Sequence, residues 1–68
     1  GMGLATEIAS AIVDVAFSQL GFHDVAIGAR PENRASIRVM EKIGARYERN
    51  AFYKESPHVL YRIWSNHD

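Results

Sequence analysis

The stretch Arg30-Pro31-Glu32-Asn33-Arg34-Ala35-Ser36-Ile37-Arg38-Val39-Met40-Glu41-Lys42-Ile43-Gly44 decides how the rest of the 68-residue chain is read. Pro31 fixes its own φ and biases Arg30 towards extended backbone, so a strand or loop closes here. Asn33 has the short oxygen-bearing side chain that accepts an N–H from the first turn of a helix. Ala35, Ile37, Met40 and Ile43 then recur at helical spacing and predict a helix over 34–43. Gly44 is placed to end it, because glycine tolerates the left-handed conformation of a helix C-terminus.

Working outward, Asp24-Val25-Ala26-Ile27-Gly28-Ala29 is a short run with β-branched residues and little alternation. Such a run reads as a strand buried on both faces. Before it, 4–20 has helical periodicity: Leu4, Ile8, Ile12 and Val15 form one stripe, widened by Ala5, Ala11 and Ala16, with Glu7, Ser10, Asp14 and Ser18 opposite. The small alanines predict close packing on a sheet, and Gly21 before Phe22 predicts the helix end. After Gly44, 45–53 and 58–64 are rich in aromatic and β-branched residues and read as strands, with Lys54-Glu55-Ser56-Pro57 as the turn. Residues 65–68 read as a frayed tail. The order helix-strand-helix-strand-strand is an α/β (α+β) arrangement without repeats or linkers, and 1–68 reads as one domain or less, a partial domain. It opens on a helix that needs a sheet to lie on.

Composition narrows the classes. Acidic and basic residues are equal in number, giving a formal net charge of +0, so there is no overall attraction to nucleic acid or an anionic membrane. No apolar run approaches the ~20 residues of a membrane span. A basic n-region with a small-residue cleavage site is not seen, and a cytoplasmic setting is expected. The absence of cysteine removes disulfides and thiolate zinc sites as staples. Because domains below roughly 70–80 residues seldom bury enough apolar surface alone, a partner surface is the leading source of extra stability.

Two segments together resemble the GNAT superfamily of acetyl-CoA-dependent N-acetyltransferases. One is Gly3-Leu4-Ala5-Thr6-Glu7, similar to the last positions of the family's Gln/Arg-x-x-Gly-x-Gly/Ala pyrophosphate loop. The other is the Pro31–Gly44 motif, similar to the "PEN-x-x-S-x-R-V-x-E-K-x-G" pattern of the ribosomal-protein-alanine acetyltransferase-like branch. The long motif is the more specific signal, and the resemblance extends over the chain as the C-terminal half of a GNAT fold. It implies acetyl-CoA as acyl donor and no metal. It also implies pyrophosphate contacts from Gly3, Leu4, Ala5 and Thr6, where first-turn N–H groups and the helix dipole favour an anion.

The same resemblance gives Asn33 a second role beside capping, as a hydrogen-bond partner of the pantetheine arm. Ser36 is the candidate general acid for the departing thiolate. The tyrosine that many relatives use, four residues before the closing glycine, is replaced here by Met40, which has no proton to donate. Arg30, Arg34, Arg38 and Lys42 read either as a solvated face or, through Arg38, as a contact to the adenosine-end phosphate. His23, His58 and His67 lack metal-ligand spacing. Phe52, Tyr53, Tyr61 and Trp64 are expected to pack within the strands.

Amine attack on a thioester also needs a base and a group that polarises the carbonyl. The resemblance places these on a strand preceding the long helix and on an N-terminal half. Such a chain alone is expected not to acetylate at a useful rate, and to leave an edge of the 24–29 strand open to association. The expected partners are therefore acetyl-CoA and either a second copy of the chain or an N-terminal half. A non-catalytic interaction module built on the same fold, and a small arginine-bearing nucleic-acid binder, remain as other readings.

Overall fold

The computed structural model describes residues 2–65. Its elements are α1 (Met2–Ser18), β1 (Asp24–Ala29), α2 (Arg34–Lys42), β2 (Arg46–Tyr53) and β3 (Ser56–Trp64). The mixed α/β order is the expected one. None of the described helices is long and apolar enough to cross a membrane.

Local chemistry sets the ends of α2. The Asn33 side-chain oxygen accepts the Ser36 N–H at 3.2 Å, so one orphan amide of the first turn is satisfied. At the other end Gly44 has φ +100°. Its N–H donates to the Glu41 carbonyl at 3.1 Å, and the Ala45 N–H donates to the Met40 carbonyl at 2.9 Å. This paired pattern is a Schellman closure, which requires the left-handed residue that glycine supplies. Asn33→Ala should remove about 1 kcal/mol of stability, read as a lower urea midpoint at an unchanged slope.

The strands form one antiparallel sheet in the order β1-β3-β2. Ile27 lies opposite Tyr61 and Ala29 opposite Val59, so side-chain alternation puts Val25, Ile27, Ala29, Val59, Tyr61 and Ile63 on the helix-bearing face. There Ala29, Met40, Ala45 and Tyr61 form the buried core, with Ile27, Ile37, Val59 and Ile63 around them. The Tyr61 hydroxyl donates to Glu41 Oε2 at 3.4 Å. Burial, and then the Glu41 charge, push its pKa above the ordinary value of 10.0 and keep it a donor.

Several details correct the sequence expectation. The 24–29 strand is not buried on both faces: Ala26 and Gly28 are exposed, because both helices cover the same side of the sheet. In α1 the expected stripe is the outward one, with Leu4 63%, Ile8 54%, Ile12 65% and Val15 43% exposed. The face that packs carries Val13 and Ala16, flanked by half-buried Thr6, Ala9, Ser10 and Phe17. The apolar arc of α1 is wider than one contact surface, and the protein's own sheet takes only one side of it.

The hairpin is tighter than expected. Lys54 and Glu55, at φ 49° and 61°, form a two-residue turn, and Ser56 and Pro57 already belong to β3. Both positive φ values suit the twist of a two-residue hairpin, although neither residue is the usual glycine or asparagine. Pro57 is tolerated in the middle strand because β1 pairs only as far as Val59, leaving β3 an edge strand at that point. Of the four aromatics expected to pack, only Tyr61 is buried. Phe52 (79%), Tyr53 (62%) and Trp64 (63%) are exposed, at the hairpin tip or on the uncovered side of the sheet. Ser65 is not frayed, since its N–H donates to the His23 carbonyl at 2.8 Å. Residues 66–68, including His67, lie outside the described residues.

On the uncovered face Arg62 ties the three strands together. Its guanidinium pairs with Asp24 of β1 and with Glu48 of β2, through Nε–Oε1 at 2.5 Å and Nη2–Oε2 at 3.1 Å. The Arg62 hydrogen bond holds the Glu48 carboxyl below the ordinary 4.5. A depressed carboxyl contributes stability that is present above its unfolded pKa and lost as pH falls through its folded one. The thermal midpoint should therefore fall on acidification below about pH 4.5, and Glu48→Gln should flatten that dependence, as followed by circular dichroism.

Candidate functional site

Between the N-terminal half of α1, β1 and α2 lies a cleft of about 540 Å³. Its wall is built by helical spacing. Ala5 and Ala9, one turn apart, form the α1 side; Ala35 and Val39, with Ser36 and Met40, form the α2 side. Ile27 and Gly28 of β1 and Ile43 complete the lining. Small residues on α1 keep the cleft open, since any longer side chain at position 5 or 9 would project into it.

Among the described residues, Ser36 is the one polar side chain on this lining. It is half-buried, in the first turn of α2, and its N–H is already committed to Asn33. Met40 follows one turn later as the most deeply buried core residue, at 3% exposure. Among the described residues, the lining bears no carboxylate, imidazole or cation. It can enclose a thin, largely apolar ligand and offer one hydroxyl, but it holds no strong base.

The structure brings some of the sequence candidates together and leaves others apart. Ala5 and Ser36 share the cleft. Gly3, Leu4 and Thr6 share the first turns of α1 with Ala5 but are not on the lining. Gly3 is exposed, and a Cβ built there meets nothing within 4 Å, so the backbone can be approached closely at that point. Asn33 is exposed beside the cleft. Its cap uses the carboxamide oxygen and leaves the amide N–H groups to donate elsewhere. Arg38 is exposed and off the lining, as are Arg30, Arg34 and Lys42.

No sequence motif marks Ala9, Ile27, Gly28, Ala35, Val39 or Ile43 as a site residue. Spacing held a signal for part of this set: Ala5 and Ala9 are i, i+4, as are Ala35 and Val39. For Ile27 and Gly28 no local pattern distinguishes a cleft wall from a core strand.

A sequence model of the acetyltransferase (GNAT) domain matches residues 1–46, a span that contains every residue of the cleft lining. An uncharacterised N-acetyltransferase of Bacillus subtilis, YnaD, is 42% identical over 53 residues, which are 78% of this chain and 30% of that protein. A probable N-acetyltransferase of the same organism, YjcK, is 43% identical over 44 residues, 65% of this chain and 24% of that protein. Among solved structures, the ribosomal-protein-S5-alanine acetyltransferase of Vibrio fischeri has the same fold, with a TM-score of 0.87 over 98% of this chain and 40% of its own, at 19% identity. The aminoglycoside acetyltransferase AAC(6')-Ib in complex with coenzyme A superposes with a TM-score of 0.86 at 25% identity, over 94% of this chain and 37% of its own. The chain thus spans between a quarter and two fifths of the length of these relatives. With the family model covering most of the chain and the relatives agreeing in both sequence and fold, this protein belongs to the GNAT acetyltransferase family.

Proposed function

We propose that this chain is the acetyl-CoA-binding part of an N-acetyltransferase of the ribosomal-protein-alanine type, acting on an amine such as a protein N-terminus or a small amine. The observation that carries this reading is the cleft: apolar, and built wholly from residues inside the family match. The pyrophosphate meets the N–H groups of the first turn of α1, at Gly3, Leu4, Ala5 and Thr6, where the helix dipole favours negative charge. The pantetheine arm runs between Ala5 and Ala35, within reach of the Asn33 amide, and Arg38 meets a phosphate at the adenosine end.

In the transfer, the amine nitrogen bonds to the thioester carbonyl carbon and the C–S bond breaks. The nitrogen gives its proton to a base, the thiolate takes one from the Ser36 hydroxyl, and the proton held by the base returns through water to the serine oxygen, so that the amide and the free thiol leave and Ser36 is restored. The described lining residues include no carboxylate or imidazole, so in this reading the base and the carbonyl-polarising donor are supplied from outside that lining, by a second copy or by an N-terminal acetyltransferase portion. The chain alone is therefore expected to bind coenzyme A without turning over acetyl-CoA in a cytoplasmic setting. Calorimetric titration with coenzyme A and an acetyl-transfer assay over a panel of amines and peptides check this. Absence of binding sinks the cofactor reading, and turnover above background sinks the claim of inactivity.

A second reading, a non-catalytic assembly module, is favoured by the outward apolar side of α1. Self-association without coenzyme A binding is the result that would select it.

A further inference from the structure

Acetyl transfer at the cleft needs a base that the described lining does not hold. A second hollow, on the sheet face away from the helices, contains one. Gly28 of β1, Ala51, Phe52 and Tyr53 of β2, and His58 and Leu60 of β3 line a pocket of about 360 Å³. Among the described residues, Gly28 is the one that lines both this pocket and the cleft.

We infer that this pocket receives the acceptor amine and that His58 is the base, taking the amine proton at Nε2. The inference rests on the acetyltransferase reading above. It moves the base into this chain and leaves the carbonyl-polarising donor to the further polypeptide.

Three observations carry it. The first is the state of the ring. His58 Nδ1 lies 3.0 Å from the Ser56 carbonyl oxygen, which can only accept, so Nδ1 bears the hydrogen. The neutral imidazole then holds its lone pair at Nε2, which has no partner among the described residues. The ring is half-buried, and an edge contact with Tyr53, centroids 5.8 Å apart, supports its orientation. The second is position. β1 ends at Ala29, which pairs with Val59, and α2 starts at Arg34, so Ser36 and His58 stand towards the same end of the sheet. They lie on its two sides: Val59 faces the helices, and alternation turns His58 away from them. The third is Gly28, where only backbone separates the two hollows. A Cβ there would come within 3.2 Å of Leu60 Cδ2, so a side chain at this position would press on the pocket wall. Around His58 the wall is largely apolar, which suits an amine flanked by an apolar group.

The amine nitrogen bonds to the thioester carbon, and its N–H proton passes to Nε2. The C–S bond breaks and the thiolate takes the Ser36 proton. The imidazolium proton then returns through water to the serine oxygen, restoring both groups.

Heteronuclear NMR of the chain at about pH 8, with L-leucinamide as the probe, tests this, because about half of an α-amino group is then unprotonated. The expected result is an Nδ1–H tautomer of His58, with ring signals that shift saturably as leucinamide is added while those of His23 stay put. Ala51→Trp, which fills the pocket, should abolish the shift with the thermal midpoint near the wild-type value. An Nε2–H tautomer, no saturable shift, or a shift that Ala51→Trp leaves unchanged overturns the inference. Loss of the shift when the unmatched portion of a full-length acetyltransferase relative binds the chain assigns the pocket to packing and also overturns it. Where that assembly turns over acetyl-CoA, His58→Gln should lower kcat a hundredfold or more, on the order of a lost general base, at an unchanged KM for acetyl-CoA. This variant keeps a donor for the Ser56 carbonyl but has no basic nitrogen. Free imidazole should partly rescue His58→Ala. Wild-type turnover in His58→Gln, or a loss in His58→Ala that imidazole does not rescue, overturns the base. Coenzyme A titration of His58→Gln keeps the two readings apart: cofactor binding can hold while the base fails, and the leucinamide shift can hold while coenzyme A does not bind.

Discussion

Met40→Ala should lower the stability of this protein by about 2–4 kcal/mol. Met40 is 3% exposed and packs with Ala29, Ala45 and Tyr61, so truncation loses the transfer energy of its side chain and leaves a void among neighbours that are already small. Two of its three buried companions are alanines, which cannot swing in to fill the space. A domain of this size holds on the order of 3–10 kcal/mol in total, so the loss is a large fraction of the whole. The thermal midpoint should drop by 10 °C or more, given roughly 4–8 °C per kcal/mol in small domains. Met40→Leu, which conserves volume, should cost less than ~1.5 kcal/mol. Thermal unfolding of the two variants decides the matter: an alanine variant within a degree or two of wild type would mean that the core does not centre on this residue.

The position of Met40 was legible in the sequence for a local reason. Asn33 and Gly44 fix the two ends of α2, and within such a short helix only one side can meet a sheet. The same logic failed for α1. Its apolar residues run from Leu4 and Val15 round to Val13 and Phe17, so periodicity locates an apolar arc without saying which part of it the chain's own sheet covers. That choice depends on where β1 and α2 sit, which is tertiary information. The most regular stripe, Leu4-Ile8-Ile12-Val15, turned out to be the one left outward.

Sheet details were hidden for a related reason. Lys54 and Glu55 lack the composition that announces a two-residue turn, and Pro57 argues locally against a middle strand. Only the short reach of β1 along β3, ending at Val59, makes Pro57 acceptable. The Arg62 contacts span sequence separations of 14 and 38 residues, and nothing in the chain states that register in advance. The cleft divides the same way. Ala5 and Ser36 were found through motifs rather than through any pattern that links them, whereas Ile27 and Gly28 became site residues only once the strand was placed between the helices.

Ala5→Trp should weaken coenzyme A binding about a hundredfold, equivalent to ~2.7 kcal/mol, while leaving the fold intact. Ala5 is exposed and stands on the cleft wall, so the added indole enters space that the structure leaves open and strains no buried neighbour. The thermal midpoint should stay near the wild-type value. The informative control is Glu7→Trp. Glu7 is also exposed in the first turns of α1 but off the lining, so it adds the same bulk near the same helix terminus without entering the cleft. Calorimetric titration of both variants separates the two sources of affinity described here. Loss in Ala5→Trp alone assigns binding to the apolar cleft. Equal loss in both would shift the weight to the first-turn amides, which either indole can crowd. Wild-type affinity in Ala5→Trp would mean that the cleft between α1 and α2 is not where the cofactor lies.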